Sequence, residues 1–103
     1  MRIEWSQVAL ADIEDLYDYI ARDVPFYAEQ FVGRLMESVE RLAEHPRLGR
    51  RVTEAQDRDD VRELIFHDYR ILYLVRADGL FVLTVIHGSR DLGARNVKPR
   101  EET

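Results

Sequence analysis

Apolar residues recur in two rhythms along this chain, and the change of rhythm divides it. Arg2-Ile3-Glu4-Trp5 alternates polar and apolar, which predicts a short first strand. Ser6 then supplies a hydroxyl that can accept a bond from an otherwise orphaned amide, the mark of a helix N-cap. Beyond it Ala9, Ile13, Leu16, Tyr17 and Ile20 recur at helical spacing, while Asp12, Glu14, Asp15 and Asp18 occupy an opposite face expected to be solvated. Pro25 breaks or restarts this helix. A second helix is predicted from about Pro25 to Glu44. Its stripe of Ala28, Phe31, Val32, Leu35, Val39 and Leu42 packs back on the first helix as a hairpin. Gly33 within it suggests close approach of the two helix backbones. His45-Pro46-Arg47-Leu48-Gly49 ends the helix with two breakers.

The rhythm then shortens. Residues 50–60 are polar and read as a loop. Three strand-like runs follow, Val61 to Phe66, Tyr69 to Val75 and Leu80 to His87. Their links, His67-Asp68 and a stretch containing Asp78-Gly79, suit antiparallel hairpins. Residues 91–103 are polar and are expected to form a flexible tail. The order β-α-α-β-β-β predicts an α+β fold, a helical hairpin packed on an antiparallel sheet.

Composition narrows what such a fold can do. At 103 residues and 46% apolar content the chain supports one core, so a single domain over 1–103 is expected. There is no cysteine, which excludes disulfides and thiolate metal sites. No apolar run approaches the ~20 residues of a membrane span, and no apolar stretch follows Met1-Arg2, so a cytoplasmic protein away from the membrane is expected. The net charge is −5, and all of that excess lies in residues 1–57, with seven arginines against twelve carboxylates. Proteins that grip nucleic-acid phosphates usually carry a basic excess. This balance counts against such a ligand, although a local basic face can exist within an acidic whole.

Several short stretches then acquire meaning together: Ala11-Asp12-Ile13-Glu14 with Tyr19-Ile20, Pro25 with Ala28 and Phe31, and Leu42 through His45-Pro46 to Gly49. After them come Arg62-Glu63, Tyr69-Arg70-Ile71 with Tyr73, and Val85-Ile86-His87-Gly88-Ser89-Arg90. In this order the chain resembles the RelE/ParE toxin superfamily of type II toxin–antitoxin systems, from Ile3 to about Asp91. The ending His87-Gly88-Ser89-Arg90-Asp91-Leu92 resembles the ParE branch, with Ser89 where an arginine is common. The resemblance implies the compact toxin fold and a partner antitoxin whose extended segment wraps the toxin. The implied target is DNA gyrase for ParE-like members, or mRNA on the ribosome for RelE-like ones. Leu16, Tyr17, Ile20, Phe31 and Leu35 are the candidate antitoxin contacts. No cofactor is implied.

An endonuclease needs a base, an acid for the leaving oxygen and cations on the phosphate. Arg62, Arg70, His87 and Arg90 come from strands expected to be neighbours, and are the candidates for an mRNA endonuclease. The structural alternative pairs Arg62 and Arg70 with Glu63, Asp68 or Asp91 and leaves His87 capping a strand. That alternative is favoured, because ion-pair networks imitate active sites. RelE-like nucleases also use lysines and a late tyrosine, whereas here Lys98 is the only lysine and no tyrosine follows Tyr73. Tyr17, Tyr19, Phe26, Tyr27 and Phe31 suggest a base-stacking surface, but at helical spacing they read as core or partner-groove residues. With only His45, His67 and His87, and no helical His-x3-His pair, no metal site is expected. The reading is therefore a toxin that inhibits DNA gyrase by protein contact. An mRNA endonuclease is the alternative, and an inactive relic that keeps the antitoxin grip is a third possibility.

Overall fold

The computed structural model describes residues 1–55 and 57–88. Strand β1 (Arg2–Trp5) leads into helix α1 (Gln7–Ala21) and helix α2 (Pro25–Glu40), which tightens into a 3₁₀ turn over Arg41–Ala43. A two-residue strand β2 (Arg50–Arg51) and a 3₁₀ turn (Thr53–Ala55) precede β3 (Val61–Phe66), β4 (Tyr69–Val75) and β5 (Gly79–His87). The five strands lie in the order β1-β5-β4-β3-β2. All pairs are antiparallel except β1 with β5, so the α+β class holds with a mixed sheet. The helical hairpin carries the chain from β1 to the far edge at β2, and the antiparallel run from β2 to β5 brings it back beside β1, so that β5 lies parallel to β1. None of the described helices is long and apolar enough to cross a membrane.

Local chemistry accounts for the helix limits. Ser6 accepts from the Ala9 amide at 2.9 Å and donates to the Leu83 carbonyl at 2.7 Å, so one hydroxyl caps α1 and ties it to β5. Pro25 sits in the first turn of α2, where its missing N–H costs nothing. The predicted stripe is the buried face: Ala9, Leu16, Phe31, Leu35 and Val39 pack on Ile71, Tyr73 and Val85 of the sheet. Gly33 does not mark a close approach. It faces outward, and a Cβ built there meets nothing within 4 Å.

The segment read as a loop holds β2, which pairs Arg50 with Glu63 and Arg51 with Arg62. Two charged residues on a sheet edge have no apolar alternation to reveal them. This segment and the far side of the sheet form a second, smaller core of Val52, Val61, Leu72, Leu83 and Ile86. A bulge in β5 makes that possible. Leu72 pairs with Thr84 and Tyr73 with Val82, so Leu83 is an extra residue. Leu83 joins the far-face core, while the Thr84 hydroxyl donates to Asp12 of α1. The Val85 amide donates to the same carboxylate oxygen at 2.9 Å. Asp12 is therefore half-buried and bonded to the sheet, not part of a purely solvated face.

Candidate functional site

Strand alternation decides where the four candidate nuclease residues go. Val61 and Leu72 belong to the far-face core, while Leu64, Tyr69, Ile71 and Tyr73 pack toward the helices. Arg62 therefore stands on the helix face and Arg70 on the far face. His87, two residues after Val85, returns to the helix face, where its ring meets Tyr69 edge-on at 5.4 Å. Arg90 lies outside the described residues. Arg62 and His87 are also far apart along the sheet, because β4 pairs them through Tyr73 and Tyr69 respectively.

Arg70 is committed. Its Nε donates to Glu63 Oε1 at 2.7 Å, and its two Nη atoms donate to the Glu54 carboxylate at 3.1 and 3.0 Å. Glu63 is only 2% exposed, and its second oxygen accepts from Arg50 Nε at 2.6 Å. The bond from Arg70 holds the Glu54 carboxyl below its ordinary range, and the same contact pushes Arg70 further up. Arg62 is held on the other face. Its Nη1 donates to the Gly49 carbonyl at 3.2 Å and its Nη2 to Asp59 Oδ1 at 2.9 Å. Asp59 also accepts from Arg47 at 2.8 Å and lies 3.7 Å from Arg51, and its carboxyl is held low chiefly by Arg47. The Tyr73 hydroxyl accepts from the Gly49 amide at 2.9 Å and donates to the Pro46 carbonyl at 2.8 Å, and its pKa is pushed up by burial. It fixes the chain leaving α2.

Arg70 and His87 do border one shallow hollow of about 340 Å³ at the β3–β4 turn, with His67, Asp68 and Tyr69. To clamp a phosphate there, Arg70 must leave Glu63, and a buried carboxylate would lose one of its two arginines. The turn carries His67 in the left-handed region, at φ 53°.

Of the candidate antitoxin contacts, Leu35, Leu16 and Phe31 are 0%, 6% and 8% exposed, so in this folded chain they are core and offer almost no surface. Tyr17 is exposed and Ile20 half-buried. The exposed apolar surface of the hairpin consists of Tyr17, Tyr19, Phe26 and Tyr27, which helical spacing reads as core or partner-groove residues, with Leu10 and Val24, which it passes over; Phe26 is 81% exposed. Glu63, expected as a partner of Arg62 or Arg70, does hold Arg70, and what the sequence did not show is that it also takes Arg50. Its place on the face of a central strand shared with Val61 is the signal that could have found it.

Comparison with known proteins agrees with this architecture. The family model described as ParE toxin of type II toxin-antitoxin system, parDE, matches residues 3–92. Toxin RelE2 of Caulobacter vibrioides is 35% identical over 91 residues, covering 86% of this chain and 97% of that protein. A solved chain described as belonging to the chromosomal ParDE TA system from P. aeruginosa superposes with a TM-score of 0.70 at 22% identity, covering 84% of this chain and 95% of that one. It shows the same fold. The molecule is thus a small α+β toxin of a type II toxin–antitoxin system. Within that class the chain belongs to the ParE toxin family, and membership implies a cognate antitoxin as partner.

Proposed function

We propose that this toxin arrests growth by binding DNA gyrase through protein contact and that its antitoxin neutralises it. The observation that carries the reading is the commitment of Arg62 and Arg70. The two guanidinium groups stand on opposite faces of the sheet and are held by Asp59 in one case and by Glu54 and Glu63 in the other. A nuclease would need them convergent and available to a transferring phosphate. The acidic balance of the chain points the same way, since a ribosome-bound enzyme gains affinity from basic excess.

The test is induction of the toxin without antitoxin, beside purified toxin in a gyrase supercoiling assay. The expected result is inhibited supercoiling, filamentation and a DNA damage response while bulk translation continues. Because one relative carries a RelE name, mRNA integrity is followed in the same cultures. Codon-linked mRNA cleavage that precedes any DNA damage signal overturns the gyrase reading.

A further inference from the structure

A groove of about 630 Å³ runs between α1 and the C-terminal half of β5. Leu16 and Val85 form its apolar floor, Tyr19 and Tyr69 its aromatic walls, and Asp15 and Asp18 its rim, with Arg22 and His87 toward its ends. Tyr19 is 66% exposed, and both rim aspartates are exposed. Neither aspartate makes an ion pair among the described residues, although Arg22 lies one turn beyond Asp18. That separates them from Glu54, Asp59, Asp60 and Glu63, each of which has an arginine nitrogen within 3.0 Å.

Two unpaired carboxylates beside an exposed tyrosine ring, over an apolar floor, form a receptor for a long cationic side chain. A guanidinium or ammonium group gains from the carboxylates and from the ring face, and its aliphatic stem lies along the exposed Tyr19 ring. The chain's whole net charge of −5 lies in residues 1–57, which include α1, so the field around this groove favours a basic partner. We infer that this groove takes an arginine- or lysine-bearing segment of the antitoxin, laid along α1 with its cations between Asp15, Asp18 and Tyr19. The inference rests on the toxin–antitoxin assignment and adds to it the chemistry of the antitoxin segment and the residues that receive it.

The experiment uses the full-length toxin and the product of the adjacent antitoxin gene. Binding rates and affinity are measured at low and high ionic strength for wild type, for Asp15→Asn/Asp18→Asn, and for Glu37→Gln/Glu40→Gln. The last pair makes the same charge change on α2, outside the groove. The expected result is a roughly tenfold loss of affinity and a flatter salt dependence for the groove variant, with the α2 variant within about twofold of wild type. Unchanged affinity in the groove variant, or equal loss in both variants, overturns the groove inference and leaves the toxin–antitoxin assignment standing. Failure of the wild-type pair to bind overturns that assignment itself. The free groove variant should melt at or slightly above wild type. A drop of several degrees means that the chain's own groups fill the groove, which also overturns the inference.

Discussion

Between Arg47 and Arg70, Glu54, Asp59, Asp60 and Glu63 each hold an arginine within hydrogen-bond reach, whereas on α1 Asp15 and Asp18 face solvent with no ion pair among the described residues. The two regions have similar composition and different geometry. In the first, neighbouring strands bring Arg50 and Arg70 to Glu63, whose burial makes the pairing obligatory, and the loop before β3 sets Asp59 and Asp60 beside Arg47, Arg58 and Arg62. In the second, the positions one turn away from each aspartate are mostly acids or apolar groups, as with Glu14 and Asp18 or Asp12 and Leu16. The paired region builds the fold, and the unpaired one is left open to a partner.

Removal of the hub is the hardest test of that contrast. Glu63→Ala leaves Arg70, with a side chain only 12% exposed, holding Glu54 alone, and leaves Arg50 without its carboxylate. Breaking a buried pair on one side costs about 3–5 kcal/mol, and the exposed Arg50 end places this case toward the low value. Urea denaturation should show that loss with an unchanged slope. A loss below about 1 kcal/mol would mean that the network is ornamental.

Arg70→Ala should cost about 2–3 kcal/mol, because Glu63 keeps Arg50 and only one side of the network fails. Toxicity should fall only in proportion to folded protein. A fully folded and non-toxic Arg70→Ala chain, with the same outcome for His87→Ala, would move Arg70 from the fold to the chemistry and revive the endonuclease.

Asp12 is the exception within the open region, and it sharpens the comparison. Its carboxylate accepts from the Thr84 hydroxyl and the Val85 amide at the β5 bulge. Asp12→Ala should therefore cost about 2 kcal/mol, like a member of the paired region. A neutral result, read from the melting temperature, would show that the bulge is held by Ser6 and the apolar core alone.

The sequence revealed the elements better than it revealed these charges. The existence and type of the helices and long strands follow from periodicity because burial of Ala9, Leu35, Ile71 and Val85 is decided by pattern, whereas the second helix, expected to reach Glu44, ends at Glu40 and tightens into a 3₁₀ turn over Arg41–Ala43. Asp12 and Asp15 look alike in a helical pattern, and only the register of α1 against the β5 bulge separates them. Arg62 and Arg70 looked like one cluster because their strands are neighbours. Eight residues apart on two antiparallel strands, they fall on opposite faces, and this is visible only once the hairpin register is known. Three of the five residues expected to meet the antitoxin, Leu16, Phe31 and Leu35, were chosen by the same hydrophobicity that buries them.

Acid separates the two regions without mutation. Glu54 is held low chiefly by Arg70, Asp60 by Arg58 and Asp59 by Arg47. A carboxyl whose folded value lies below its unfolded one contributes stability that is fully present above the unfolded value, near pH 4, and is lost as pH falls through the folded value. The melting temperature should therefore be flat from about pH 7 to 5 and fall below about pH 4. Arg70→Ala removes the contribution of Glu54, so the gap between wild type and variant should narrow in acid. A gap that stays constant from neutral pH to below about pH 4 would detach Glu54 from Arg70.

The smallest expected effect is the one on which the contrast depends most. Asp15→Asn/Asp18→Asn removes two charges three residues apart on α1, next to Asp12, Glu14 and each other. Like charges at this spacing repel by about 0.2–0.5 kcal/mol per pair, and loss of the attraction between Asp18 and Arg22 offsets part of the gain, so the free toxin should become slightly more stable, by a few degrees in melting temperature. The matched change in the paired region, Asp59→Asn/Asp60→Asn, should lower the melting temperature, because Arg47, Arg62 and Arg58 lose charged acceptors. Opposite signs for two equal changes of charge are what a built region and an open region should give. If both double variants lower stability alike, α1 is held by its aspartates, and the groove they rim is part of the fold and not a surface kept for the antitoxin.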